Sequence, residues 1–221
     1  MKIALTVGHS ILKNGNITSA NGVINEYKYN KALAPLIAKY LTKLGHPVNV
    51  IICPEKKFNI SKDESTYKLN LVNNGNYDLV VELHLNASTS SSAKGCEVLY
   101  ISNKGKEYAE RVQSNLSTLF KDRGIVHRDN LYMLTKTKPV AIMLETFFCT
   151  SVSDCKTGED KDKIAKLIAE GIANKKLPVE VAEEKIYRVQ VGAFTSQKNA
   201  NEVRARLKTL GYDAIVVADK K

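Results

Sequence analysis

No two cysteines in this chain stand in a C-x-x-C. The four that exist, Cys53, Cys96, Cys149 and Cys155, are scattered, which excludes a structural zinc site of the finger or ribbon kind. We read them as free thiols of a chain made in a reducing compartment. An uninterrupted apolar run of about 18 residues, the length that crosses a bilayer as a helix, is also missing. The opening stretch MKIALTVGHS carries one lysine and a short apolar run without a cleavage-like segment. It therefore reads as a first strand rather than a leader. Acidic residues are in deficit, 23 against 33 basic, for a formal net charge of +10. That balance favours anionic partners such as nucleic acid, an anionic membrane or an anionic cell wall. The C-terminal segment lacks the aromatic pairs at strand centres that sheets use to stack bases, so nucleic acid is set aside.

What is present suits an ordinary folded protein. The 221 residues are 43% apolar and 25% charged, enough for one sizeable core with something small attached. Residues 3–7 form an apolar run into Gly8-His9-Ser10, and an Asn/Ser/Thr-rich loop leads to Glu26. Leu33, Leu36, Ile37, Tyr40, Leu41 and Leu44 then step by three and four, one face of a helix, with Pro35 predicting a kink or a late start. Residues 48–53 read as a second strand. Ser61 and Glu64 have capping-box spacing for a helix to about residue 73. The stretch DLVVELHLNA at 78–87 is a third strand, 96–102 a fourth, and 139–146 a last one ending at Glu145. Helices fit 105–122 and 160–174. A loop carrying Arg123, Gly124 and His127 lies between. Strands alternating with helices predict an α/β fold, a mostly parallel sheet covered on both faces. We divide the chain into a domain at 1–176, an acidic linker LPVEVAEE at 177–184, and a small β-α-β unit at 185–221. In that unit Tyr187, Val189, Val191 and Ala193 alternate with Arg188 and Gln190.

Chemistry gathers at element ends. His9 closes the first strand, Glu26 opens the first helix, His84 lies near the end of the third strand and Glu145 closes the last. In open α/β sheets the carboxyl ends of the strands form the ligand crevice. Two imidazoles and a carboxylate make a common catalytic zinc set, and a further carboxylate can shuttle a proton. A single histidine on an apolar strand is equally a satisfied core imidazole, and spacing alone does not bring these groups together. Glu82 shares a strand face with His84; it pairs with a lysine, orients a ligand, or is simply solvated. Asn86 contacts substrate or shapes the strand end, and His127 is a candidate substrate contact in a loop.

The pieces ALTVGHS at 4–10, Glu26 before a helix, LHLNAS at 83–88, KGCEVLY at 94–100, DRGI at 122–125 and VAIMLETFF at 140–148 together resemble the zinc-dependent N-acetylmuramoyl-L-alanine amidases of the Amidase_3 type, over about residues 1–174. The resemblance implies that His9, Glu26 and His84 hold one Zn2+ and that Glu145 is the catalytic carboxylate. The implied reaction is hydrolysis of the amide joining muramic acid to L-alanine in bacterial peptidoglycan. This chain departs from the family pattern in its polar first loop, in STYKLNLVNNG of the second helix and in Cys149. The tail, YRVQVGAFTSQKNANEVRARLKTLGYDAIVV, resembles a SPOR domain, a family that binds glycan strands. Arg188 and Gln190, off its apolar face, are the candidate glycan contacts. A full domain of that family has two β-α-β halves and this chain has one, so two tails completing each other in a homodimer is one expectation. Together these features suggest a phage endolysin, made in the host cytoplasm without a signal peptide and acting on the wall after release, in a low-GC Gram-positive host. The other readings are a host autolysin or spore-related amidase, an inactive wall-binding protein, and a zinc peptidase, for which the residues that read a peptide terminus are not evident.

Overall fold

In a computed structural model of the chain, residues 1–178 and 187–218 are described. They fall into two compact units, Met1–Pro178 and Val179–Lys221; the linker expected at 177–184 lies, past Pro178, outside the described residues. The first unit runs β1 (Ile3–Val7), α1 (Glu26–Lys43), β2 (Val48–Ile51), α2 (Ser61–Asn74), β3 (Leu79–Asn86), β4 (Cys96–Tyr100), α3 (Asn103–Leu116), β5 (Asp122–His127), α4 (Tyr132–Thr135), β6 (Val140–Phe148), α5 (Val152–Thr157) and α6 (Lys161–Ala173). One six-stranded sheet has the order β2-β1-β3-β6-β4-β5. The first four strands in that order are mutually parallel; β4 is antiparallel to β6, and β5 runs with β4.

The side-chain period of two divides the strands between two layers. Ile3, Leu5, Val7, Leu79, Val81, Leu83, Ile142 and Leu144 pack against the apolar faces of α1, α3 and α6 in the larger core. Ala4, Val80, Leu99, Ala141 and Met143 face Val72 of α2 and Met133 and Leu134 of α4 in a smaller one. Each fully buried Leu or Ile contributes about 1.5–3 kcal/mol. The same alternation sends Glu82, His84 and Glu145 to the α2 side. β6 carries an irregularity there: His84 pairs with Glu145, but Asn86 pairs with Phe148. The extra residue is a bulge, and it turns Phe147 into the larger core.

Several local expectations change. α1 is continuous through Pro35, which sits on its exposed face, where the carbonyl left without a donor can be hydrated. The capping box is not used: Ile60 is the N-cap of α2 without a side-chain bond, because Glu64 is buried and taken by Ser10 and Thr18. The loop expected at Arg123–Gly124 is the start of strand β5. Gly124, at φ 82°, and a register shift opposite Cys96–Val98 disguise it in the sequence. β6 runs three residues past Glu145 before Ser151 caps α5.

In the second unit the expected helix forms as α7 (Gln197–Thr209). The flanking strands do not: among the described residues 187–196 and 212–218 have no strand ladder. A single β-α-β half offers two short edges and no partner strand between them, and so pairing cannot cover them. Tyr187, Val189, Val191, Ile215 and Val217 are exposed in this unit. A homodimer built by pairing two tails finds no support here.

Candidate metal centre

At the carboxyl ends of β1 and β3, the side chains of His9, Glu26 and His84 offer ligand atoms that all lie within 4.8 Å of one another. Each has a local reason for its place. β1 breaks at Gly8, where a Cβ would overlap the imidazole of His84. His9 follows at φ 66°, a left-handed conformation that costs an L-residue about 1–3 kcal/mol. The next residues hold the turn. The Ser10 hydroxyl donates to Glu64 Oε1 at 2.5 Å and the Thr18 hydroxyl to Glu64 Oε2 at 2.9 Å. Asn25 caps α1 by accepting from the Lys28 amide, which sets Glu26 in the first turn. The carboxylate of Glu26 is then fixed by two backbone amides, Leu85 N–H to Oε1 at 3.1 Å and Ala20 N–H to Oε2 at 3.0 Å.

Glu26 Oε1 is the hub. It lies 2.9 Å from His84 Nδ1 and 3.4 Å from His9 Nε2, and the two imidazoles meet edge to face at 4.9 Å. Tetrahedral zinc with N and O ligands at about 2.0–2.1 Å needs donors roughly 3.3 Å apart. The donor set and its spacing fit such an ion. Although burial would raise the carboxyl of Glu26, the two histidines hold it far below the usual carboxylate range. Burial would likewise lower His84, but Glu26 and Glu82 outweigh it and hold the imidazolium up. The group is therefore electron-rich and suited to holding a cation.

Glu145 is the next side chain in the same row, paired with His84 on one side and with Glu97 on the other. Its Oε2 is buried without a hydrogen-bond partner. Burial, then the carboxylates of Glu26, Glu97 and Glu82, push its pKa up to about 7 against the pull of His84. A carboxyl titrating near neutrality beside an electron-rich ligand group is suited to taking and returning a proton.

Other expected residues separate. Asn86 donates to Glu97 Oε1 at 2.7 Å and accepts from the Ala87 amide at 3.0 Å, so its amide shapes the strand end. His127 is not at this site. β5 runs with β4, antiparallel to β6, and ends at His127 beside Tyr100, opposite Ile142 rather than Glu145. Its Nε2 lies 3.1 Å from the Ile101 carbonyl. Arg188 and Gln190 are exposed in the second unit. Residues that the sequence reading did not assign are present instead. Glu97 accepts from Asn86 and, at 3.3 Å, from Arg123, whose guanidinium stacks on Phe148. Glu82 is buried against Lys68. The KGCEVLY and DRGI pieces contained Glu97 and Arg123, but only the antiparallel pairing brings their strand starts to this end. The four cysteines are free and buried, and no helix among the described residues is long and apolar enough to cross a membrane.

Residues 3–174 match the family model Amidase_3, described as N-acetylmuramoyl-L-alanine amidase, and residues 161–218 match the SPOR domain. The second match overlaps α6, whose Ile164, Ile168 and Ile172 are buried in the first unit's core. The catalytic domain of the CD27L endolysin targeting Clostridia difficile is 53% identical, with a TM-score of 0.79 over 80% of this chain and 99% of that one. An uncharacterized protein of Clostridium perfringens is 30% identical over 83% of this chain and 55% of its own length. The sporulation-specific N-acetylmuramoyl-L-alanine amidase of Bacillus subtilis is 23% identical over 98% of this chain and 84% of its own. The chain thus spans a little over half the length of its first Clostridium perfringens relatives.

Proposed function

The chain belongs to the Amidase_3 family of N-acetylmuramoyl-L-alanine amidases, and from that premise we propose that it cleaves the amide between N-acetylmuramic acid and L-alanine in peptidoglycan with one zinc ion. The observation that carries the proposal is the convergence of His9, Glu26 and His84 beside Glu145, whose buried Oε2 has no hydrogen-bond partner, at the open end of the sheet. His9 Nε2, Glu26 Oε1 and His84 Nδ1 are the proposed ligands. Zinc bound there supplies Lewis-acid polarisation of the scissile carbonyl and of a water molecule. Glu145 Oε2 takes the proton of the attacking water and returns it to the departing L-alanine nitrogen, so that the amine leaves neutral. Glu26, clamped by two amides, holds its ligand oxygen still while charge develops.

Similarity to an endolysin catalytic domain supports a role in lysing a bacterial host, the enzyme being made in the cytoplasm and acting on the wall after release. The SPOR match supports glycan binding by the tail, with exposed Arg188 and Gln190 as contacts. Digestion of purified cell wall by metal-stripped protein, before and after zinc is restored, tests the metal. We expect clearing only with zinc; equal clearing without it would remove the ion from the reaction.

A further inference from the structure

Lys68 of α2 and Glu82 of β3 form an ion pair that is 3% and 2% exposed on the face of the sheet otherwise packed with Ala4, Val72, Val80 and Met143. Neither residue belongs to the metal group or to the proton path. A buried ion pair is a weak source of stability, since an apolar pair of the same volume commonly does as well or better. Its placement suggests a different use. Lys68 Nζ donates to Glu82 Oε1 and, at 3.3 Å, to the carbonyl of Val7, two residues before His9. The other oxygen of Glu82, Oε2, lies 3.6 Å from Nε2 of His84. On the opposite edge of that ring, Nδ1 faces Glu26 Oε1 at 2.9 Å.

The imidazole of His84 therefore stands between two carboxylates. A neutral imidazole carries one proton, on one nitrogen or the other. Glu26, at the Nδ1 edge, attracts that proton to the nitrogen that must stay bare to hold a metal. We propose that Glu82, paired with Lys68, is a positioning residue that faces the Nε2 edge of His84 and so reserves Nδ1 for the ion. Partners of this kind on the far nitrogen of a ligand histidine fix its tautomer and orientation, and their loss costs about 10–100-fold in metal affinity. Lys68 serves the same end indirectly: without it, Glu82 would be an unpaired buried charge.

This inference rests on the zinc reading above, and its test separates the two. Zinc affinity is measured by competition with a chromophoric chelator for the parent chain, for His84→Ala, and for the double variant Lys68→Met with Glu82→Gln, which removes both charges at similar volume. The expected result is a large loss for His84→Ala and a loss of about 10–100-fold for the double variant, whose metal-free melting temperature stays at or above the parent's. Unchanged zinc affinity in His84→Ala would overturn the metal group itself. A loss in His84→Ala with parental affinity in the double variant would overturn only the role of Glu82. A second measurement needs no variant: nitrogen-15 spectra of the zinc-loaded parent should show His84 protonated at Nε2. A proton on Nδ1 would refute the proposal whatever the variants do.

Discussion

Replacing Glu145 by Gln keeps the shape of the side chain and removes its proton chemistry, and the structure fixes how three observables should respond. The first is turnover. A positioned general acid–base contributes about 10²–10⁴-fold, and the Oε2 atom that would carry the proton has no other partner, so kcat should fall by that factor. The second is metal content, which should not change, because Glu145 is not among the three converging ligands. The third is stability. In the metal-free protein the carboxyl of Glu145 is raised from 4.5 to about 7, by burial first and then by neighbouring carboxylates. Below pH 4.5 the folded and unfolded chains both hold the proton, and the site costs nothing. Between 4.5 and 7 the unfolded chain releases its proton while the folded one retains it. Stability is lost across that window and levels off above it. The span from 4.5 to about 7 corresponds to roughly 3 kcal/mol at most. Glu145→Gln lacks this penalty. Stripped of metal, the variant should match the parent near pH 4 and melt higher at pH 8, by roughly 6–12 °C at the upper limit for a domain of this size. Thermal melts at both pH values, with zinc content and muropeptide release measured on the same samples, supply the assay. A difference in melting temperature that does not change with pH, or near-parental turnover, would refute the reasoning.

Gly8→Ala should push the His84 ring aside, since its Cβ would overlap the imidazole; zinc affinity should drop with little change in secondary structure, and a parental affinity would show that the ring has room to move. Glu64→Ala should leave the Ser10 hydroxyl without its acceptor and Thr18 with only the Ser10 carbonyl, at about 1–3 kcal/mol by denaturant unfolding, and should loosen the turn carrying His9. Removing only the Thr18 hydroxyl with Thr18→Val should cost less, about 1 kcal/mol. An effect in the reverse order would mean that Glu64 does not anchor the loop. His127→Ala should leave cell-wall digestion unchanged, because His127 ends β5 away from Glu145; a large loss would mean that substrate reaches that end.

The fold class was legible because alternating strands and helices leave a plain periodic record, and the ligand candidates because each sits at an element end: His9 after β1, Glu26 at the start of α1, His84 near the end of β3. Strand direction leaves no such record. Nothing in CEVLY says that β4 runs against β6, yet that reversal brings Glu97 and Arg123 to the site and takes His127 away from it. The β6 bulge was equally invisible, since it shows only when Asn86 is found opposite Phe148. The capping-box spacing at Ser61 and Glu64 was real as a pattern, but a competing pair of hydroxyls from the His9 turn takes the carboxylate. Glu82 left its alternatives open because pairing with Lys68 depends on how α2 lies on the sheet. In the tail the apolar alternation read as strands; a strand also needs a neighbour, and a single β-α-β half does not supply one.

The function turns on which bond is cut. Purified peptidoglycan digested with the zinc-loaded chain, its soluble products resolved by mass spectrometry, tests this most directly. Amide cleavage gives free stem peptides beginning with an L-alanine amine, glycan strands bearing free lactyl carboxylates along their length, and no new reducing sugar ends. New reducing ends, or cleavage between amino acids of the stem with the muramic acid–alanine amide intact, would contradict it.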